Sequence, residues 1–169
     1  MACKCATSCV AVVGMGNLLM QDDGAGVHAL QALRERMANE DGVELIDGGT
    51  NAWGALWAAR DCRHLLLLDA VRAGGKPGDV YRFPLGDAEA PQGSVSLHDV
   101  SLAHLVGLEQ MMGNRFETVT VLGMEPSRIE PAIGLSEACQ RGLEELVRLA
   151  QSEIRKVKHD ETVPGAQPC

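Results

Sequence analysis

The chain has 169 residues, 46% of them hydrophobic and only 3% aromatic, enough to bury one core that Val, Leu, Ile, Ala and Met must fill. A formal net charge of -8 with no dense Lys/Arg block leaves a nucleic-acid backbone nothing to release its counterions against, so nucleic acid is not an expected partner. The first apolar stretch, Val10 to Met20, is broken by Gly14, Gly16 and Asn17 and runs into Asp22 and Asp23. It is too short for a membrane span and lacks a signal-peptide cleavage site, so a cytoplasmic protein with no membrane partner is expected.

In chain order, residues 1–8 read as a cysteine-rich extension. Cys3, Cys5 and Cys9 form a C-x-C-x3-C cluster and Cys169 closes the chain, among six cysteines expected to be free thiols in a reducing compartment. Cys9 to Gly14 is a β-branched apolar run ending in glycine, the pattern of a strand buried on both faces. Val27, Leu30, Leu33 and Met37 then recur at helical spacing, with Asp22 or Asp23 available as the cap.

Val43 to Ile46 predicts a second strand and Ala52 to Arg60 a short helix, on which Trp53 and Trp57 share a face and are expected to pack on the sheet. His64 to Asp69 is a third, continuous apolar strand. The two β-α-β units define an α/β sheet with helices on both faces. After Asp69 the segment A-G-G-K-P-G leaves no room for a crossover helix, so a hairpin is expected to make Val80–Phe83 antiparallel.

A loop over 84–95 leads to a helix over about Leu97–Met112, and Thr118–Leu122 reads as the fifth strand. Two prolines then forbid helix until Ser136, an N-cap for a last helix to about Lys156. The reading is a single three-layer α/β/α domain. Its sheet is twisted and mostly parallel, with five strands, one of them antiparallel; the core spans 9–156 and a flexible tail covers 157–169.

Gly14 and Gly16 invite a dinucleotide-binding reading, but the third glycine of that fingerprint would fall at Leu19, and two carboxylates follow where phosphate would want N–H groups. In an open parallel sheet, ligands bind beyond the carboxyl ends of the strands. That edge collects Asp22 and Asp23, Asp47, Asp69 and Glu125. His98, in the first turn of its expected helix, is kept neutral by the helix dipole, the form in which imidazole binds metal.

Two carboxylates and a histidine, Asp23, Asp69 and His98, with one position left open suit zinc or nickel chemistry. No nucleophile competes with them: Cys62 precedes a buried strand, Cys139 lies in a helix, and no G-x-S-x-G elbow is present. His28 and His104 fall within helices and receive no role.

The motifs G-M-G-N-L-L-M-Q-D-D-G-A-G-V (Gly14–Val27), D-G-G-T (Asp47–Thr50), L-L-L-L-D-A ending at Ala70, S-L-H (Ser96–His98) and E-P-A-I-G-L-S near the last helix occur in this order. Together they resemble the hydrogenase maturation protease family over roughly residues 9 to 150. The resemblance implies a mixed twisted sheet between helices. It also implies an endopeptidase that removes a C-terminal extension from the nickel-iron hydrogenase large-subunit precursor once nickel is inserted.

The family's metal-binding positions fall on Asp23, Asp69 and His98, which are also the expected catalytic set, and its D-G-G-T aspartate on Asp47, with Gly48 and Gly49 in support. On this reading no cofactor is permanently bound. The substrate's nickel is contacted at the site, zinc or cadmium could occupy the same ligands, and the protein acts as a monomer on the precursor. A nickel-binding maturation chaperone without proteolytic activity is the alternative.

Overall fold

The computed structural model describes residues 10–37, 40–85, 95–96, 107, 113 and 116–162. Strand β1 (Val10–Met15) is buried throughout, and its alternate side chains feed two different cores. Val10 and Val12 face α1 (Ala25–Arg36), while Ala11, Val13 and Met15 face α2 (Ala52–Ala59). The period-two alternation explains why the run reads as uniformly apolar: both sheet faces are covered.

Strand β2 (Val43–Gly49) pairs in parallel with one side of β1, and β3 (His64–Arg72) pairs in parallel with the other. β3 divides its leucines in the same way, Leu66 and Leu68 toward α1, Leu65 and Leu67 toward α2. Strand β4 (Val80–Pro84), the two-residue β5 (Val95–Ser96) and β6 (Thr118–Met124) complete the sheet. The path is β2-β1-β3-β6-β4, with β5 antiparallel to the end of β3. The last helix, α3 (Glu137–Thr162), packs beside α1 and contributes Leu146, Val147, Ala150 and Ile154 to their shared core.

The expected layers, the mostly parallel sheet and the single antiparallel main strand are all present. The hairpin is not. β4 is antiparallel, but its partner is β6, which lies between β3 and β4. The segment after Arg72 therefore spans two strand spacings, about 10 Å. Seven residues, with Gly74 and Gly78 at positive φ, reach that far easily.

Several expected boundaries shift. β3 runs to Arg72 because Val71 and Arg72 pair with β5, so Asp69 sits inside the strand and not after it. Asp47, Gly48 and Gly49 belong to β2. Neither Asp22 nor Asp23 caps α1; its N-cap is Gly24, and both aspartates lie in a 3-10 turn (Gln21–Gly24) that precedes it. Ser136 does cap α3, its hydroxyl accepting from the Cys139 N–H at 3.4 Å. That helix continues to Thr162, six residues past the expected end at Lys156, carried by apolar contacts of Val157 with the core.

Trp53 and Trp57 do not pack on the sheet: they are 39% and 52% exposed, because Ala55, Leu56 and Ala59 form the buried face of α2. Trp57 instead carries the Arg60 guanidinium 4.8 Å from its ring centroid. Cys62 is disulfide-bonded, so the expectation of free thiols fails there and holds for buried Cys139. Of the helix expected over Leu97–Met112, only Gly107 is described, and it is helical. Ser96, which immediately precedes that expected helix, stands in β5. Among the described residues no helix is long and apolar enough to cross a membrane.

Candidate functional site at the carboxyl edge of the sheet

β1 ends at Met15, and the chain turns at Gly16, whose φ of +122° suits glycine. A Cβ at Gly16 would lie 1.8 Å from the Asp23 carbonyl oxygen, so only glycine lets the Gln21–Gly24 turn fold back onto the strand end. Gly26 does the same for the helix. A Cβ there would meet the Leu68 carbonyl oxygen at 2.0 Å, so the start of α1 rests on β3 next to Asp69. Gly14 is likewise filled against, its Cβ position lying 2.7 Å from the Gly26 carbonyl oxygen. These glycines serve close packing of turn and helix on the strands, and the space a pyrophosphate would use holds the aspartate turn.

That packing sets the Gln21–Gly24 turn, which carries Asp23, against β3, which carries Asp69. Asp23 is 6% exposed and its Oδ2 accepts from the Asn17 N–H at 2.8 Å. Asp69 is 1% exposed and its Oδ1 accepts from the Ala70 N–H at 2.8 Å. Burying two carboxylates this close to solvent is expensive unless they are hydrogen-bonded and meet a cation. Such oxygens are the hard donors that divalent metals take.

Asp47 lies on the same edge, across β1, opposite Gly14. It is exposed, and its Oδ1 accepts from the Gly49 N–H at 3.1 Å, closing a small turn in which Gly49 has φ +48°. Gly48 is buried against Met15 and Val13, where a Cβ would come within 2.6 Å of the Met15 sulfur. The D-G-G run thus fits β2 to the strand end beside it.

His98 lies outside the described residues. Ser96, two residues earlier in the sequence, pairs in β5 with Val71, two residues beyond Asp69. Among the described residues no group of three or more His, Cys, Asp or Glu side chains is placed to hold a metal ion.

Two further buried carboxylates tie the loops of this edge together. Asp22, fully buried, accepts from the Ser127 and Arg128 N–H groups through Oδ2 at 2.9 and 3.0 Å, and from the Ser136 N–H through Oδ1 at 2.7 Å. Burial pushes its carboxyl up, but the hydrogen bonds from Arg128, Ser136 and Ser127 outweigh this and hold it below the ordinary value. Glu125, 6% exposed, accepts through Oε2 from the Ala73 N–H at 2.8 Å, the Gly75 N–H at 3.2 Å and the Tyr81 hydroxyl at 2.9 Å. Burial and that bond push the Tyr81 phenol up to about 12.

Sequence reasoning placed both residues at the edge but missed these bracing roles. The two exposed apolar side chains Leu19 and Ile133, 64% and 81% exposed, were missed as well. They flank a one-residue parallel bridge between Met20 and Ala132 on the two loops that Asp22 joins.

With this geometry in view, the comparisons are specific. A family model described as hydrogenase maturation protease matches residues 27–153. The Hydrogenase 2 maturation protease of Escherichia coli (strain K12) is 30% identical over 151 residues, covering 87% of this chain and 91% of that protein. The hydrogenase expression/formation protein HupD of Thiocapsa roseopersicina is 31% identical over 125 residues, 72% of this chain and 56% of its own length. Among solved structures, the hydrogenase maturating endopeptidase HybD from E. coli matches with a TM-score of 0.77 at 28% identity, over 88% of this chain and 93% of that one. The hydrogenase 2 maturation peptidase from Thaumarchaeota archaeon SCGC_AB-539-E09 follows at 0.68 and 28%, over 88% and 99%. The chain belongs to the hydrogenase maturation protease family and is an endopeptidase of hydrogenase maturation.

Proposed function

We propose that this endopeptidase removes the C-terminal extension of a nickel-iron hydrogenase large-subunit precursor, and that it selects precursor already carrying nickel through Asp23, Asp69 and His98. The observation that carries this reading is the pair of buried carboxylates at the carboxyl edge, Asp23 in the Gln21–Gly24 turn and Asp69 in the strand β3 that this turn packs against. A net charge of -8 favours approach of a cationic centre. The nickel is cargo of the substrate, and the enzyme needs no resident metal.

Chemically, a carboxylate-lined edge that grips the metal fixes the neighbouring peptide bond in place, which converts a bimolecular encounter into an oriented reaction. Water adds to the scissile carbonyl carbon, the C–N bond breaks, and the amide nitrogen leaves as the amine of the released extension. Asp47, exposed across β1, lines the approach to this place. The enzyme acts as a monomer on the precursor in the cytoplasm.

Family membership favours this reading over the nickel chaperone weighed from the sequence. Intact-mass spectrometry of nickel-loaded precursor incubated with the purified protein tests it. Loss of the extension with the wild type and none with Asp23→Asn, Asp69→Asn or His98→Gln is the expected result. Unchanged cleavage by those variants removes the three residues from the reaction, and tight nickel binding with no change in precursor mass supports the chaperone instead.

A further inference from the structure

Asp22 and Asp23 are consecutive, yet their carboxylates do different things. In a 3-10 turn successive side chains diverge by about 120°. Asp23 is bonded by Asn17 within its own loop, whereas Asp22 points to the far loop and takes three N–H groups from Ser127, Arg128 and Ser136. The Asp22 N–H returns a bond to the Arg128 carbonyl at 3.3 Å, and the Gln21 N–H one to the Ala132 carbonyl at 3.0 Å. The turn also begins under strain, since Gln21 holds a left-handed φ of +49° that a residue with a Cβ adopts only when its surroundings enforce it.

We propose that Asp22 is a positioning residue for the Asp23 carboxylate. Latched across the edge to the segment after β6, it prevents the strained Gln21–Gly24 turn from relaxing and so fixes the direction in which Asp23 faces the substrate. The inference rests on the endopeptidase reading, which puts Asp23 at the reacting centre. An ionised aspartate suits the task because both its oxygens only accept, matching three N–H donors. An asparagine in its place turns an NH2 group toward one of those donors, so the latch cannot close fully.

The test uses the full chain and nickel-loaded precursor, at a temperature where circular dichroism shows each variant folded. Asp22→Asn is expected to lower kcat by about tenfold or more while KM stays within about threefold, the signature of lost transition-state positioning. Because Asp22 acts through Asp23, combining it with Asp23→Glu is expected to cost less than the product of the two single losses. Glu125→Gln, which loosens a different loop, is the control whose loss multiplies with that of Asp23→Glu.

Wild-type kcat in folded Asp22→Asn, or losses that multiply, overturns the proposal while leaving the endopeptidase reading intact. A wild type that leaves the precursor uncut overturns both. If Asp22→Asn does not fold, hydrogen exchange in the wild type decides. Protection of the Ser127, Arg128 and Ser136 amides comparable to β6 supports the latch, and exchange at loop rates overturns it.

Discussion

Two parts of the molecule bury carboxylates in opposite ways. On α3, Glu153 is 5% exposed and is matched by cations, with the Arg82 Nε at 2.9 Å and the Lys156 Nζ at 2.7 Å. At the carboxyl edge, Asp22 and Glu125 are equally buried but are held by backbone N–H groups and a tyrosine hydroxyl. Ion pairing neutralises a charge and fastens a helix to a strand. Amide donors fix the direction of a loop and leave the negative charge standing. The first arrangement suits a fold, and the second suits an edge whose negative charge is left available to the metal-bearing substrate proposed above.

Breaking the two regions should therefore have different consequences. The largest effect is expected from Asp23→Asn and Asp69→Asn, each lowering kcat/KM by about 10²- to 10⁴-fold, read from precursor cleavage rates. Their folded state, checked by circular dichroism, should persist, because an amide of the same size can still accept from Asn17 or Ala70 through its oxygen.

Glu153→Gln should do the reverse. It weakens two ion pairs whose basic partners are 46% and 60% exposed, so the loss is about 1–3 kcal/mol, less than for a fully buried pair. A drop in Tm of roughly 3–10 °C with unchanged kcat/KM is expected from thermal scans and steady-state assays. A change in kcat/KM as large as that of the edge variants would erase the distinction between the regions.

Acid sharpens it further. Burial pushes Glu153 up, but its bonds to Lys156 and Arg82 outweigh this and hold it below its ordinary value of 4.5. A carboxyl with a folded pKa below the unfolded one stabilises fully above the unfolded value, and that stability is lost as pH falls through the folded value. Thermal stability should accordingly fall as pH is lowered from above 4.5, and less steeply in Glu153→Gln. The smallest effect is expected at Trp57→Ala: the side chain is half exposed and touches Arg60 only at the surface, so Tm should move by no more than about 0.5 kcal/mol of stability implies.

Much of this was legible in the sequence, for physical reasons. β1 and β3 are apolar on both faces, so they announce themselves as central strands, and the carboxyl-edge rule then collects Asp23, Asp47 and Asp69 without coordinates. What escaped depends on contacts between distant segments. The insertion of β6 between β3 and β4 needs pairing between segments far apart in the chain, His64 with Thr118 and Val80 with Met124, to which no local pattern testifies. Trp53 and Trp57 share a helical face, but it is the alanines and Leu56 that meet the sheet. The resemblance singled out Asp23 but gave its neighbour Asp22 no role, and only the 3-10 turn shows Asp23 bonded within its own loop and Asp22 joined to the loop after β6.

The central claim, that the edge carboxylates select nickel carried by the substrate, is tested most directly with one precursor prepared in two forms, nickel-loaded and nickel-free. Intact-mass spectrometry after incubation with the wild type should show loss of the extension from the loaded form only. Cleavage of both forms at the same rate would contradict it.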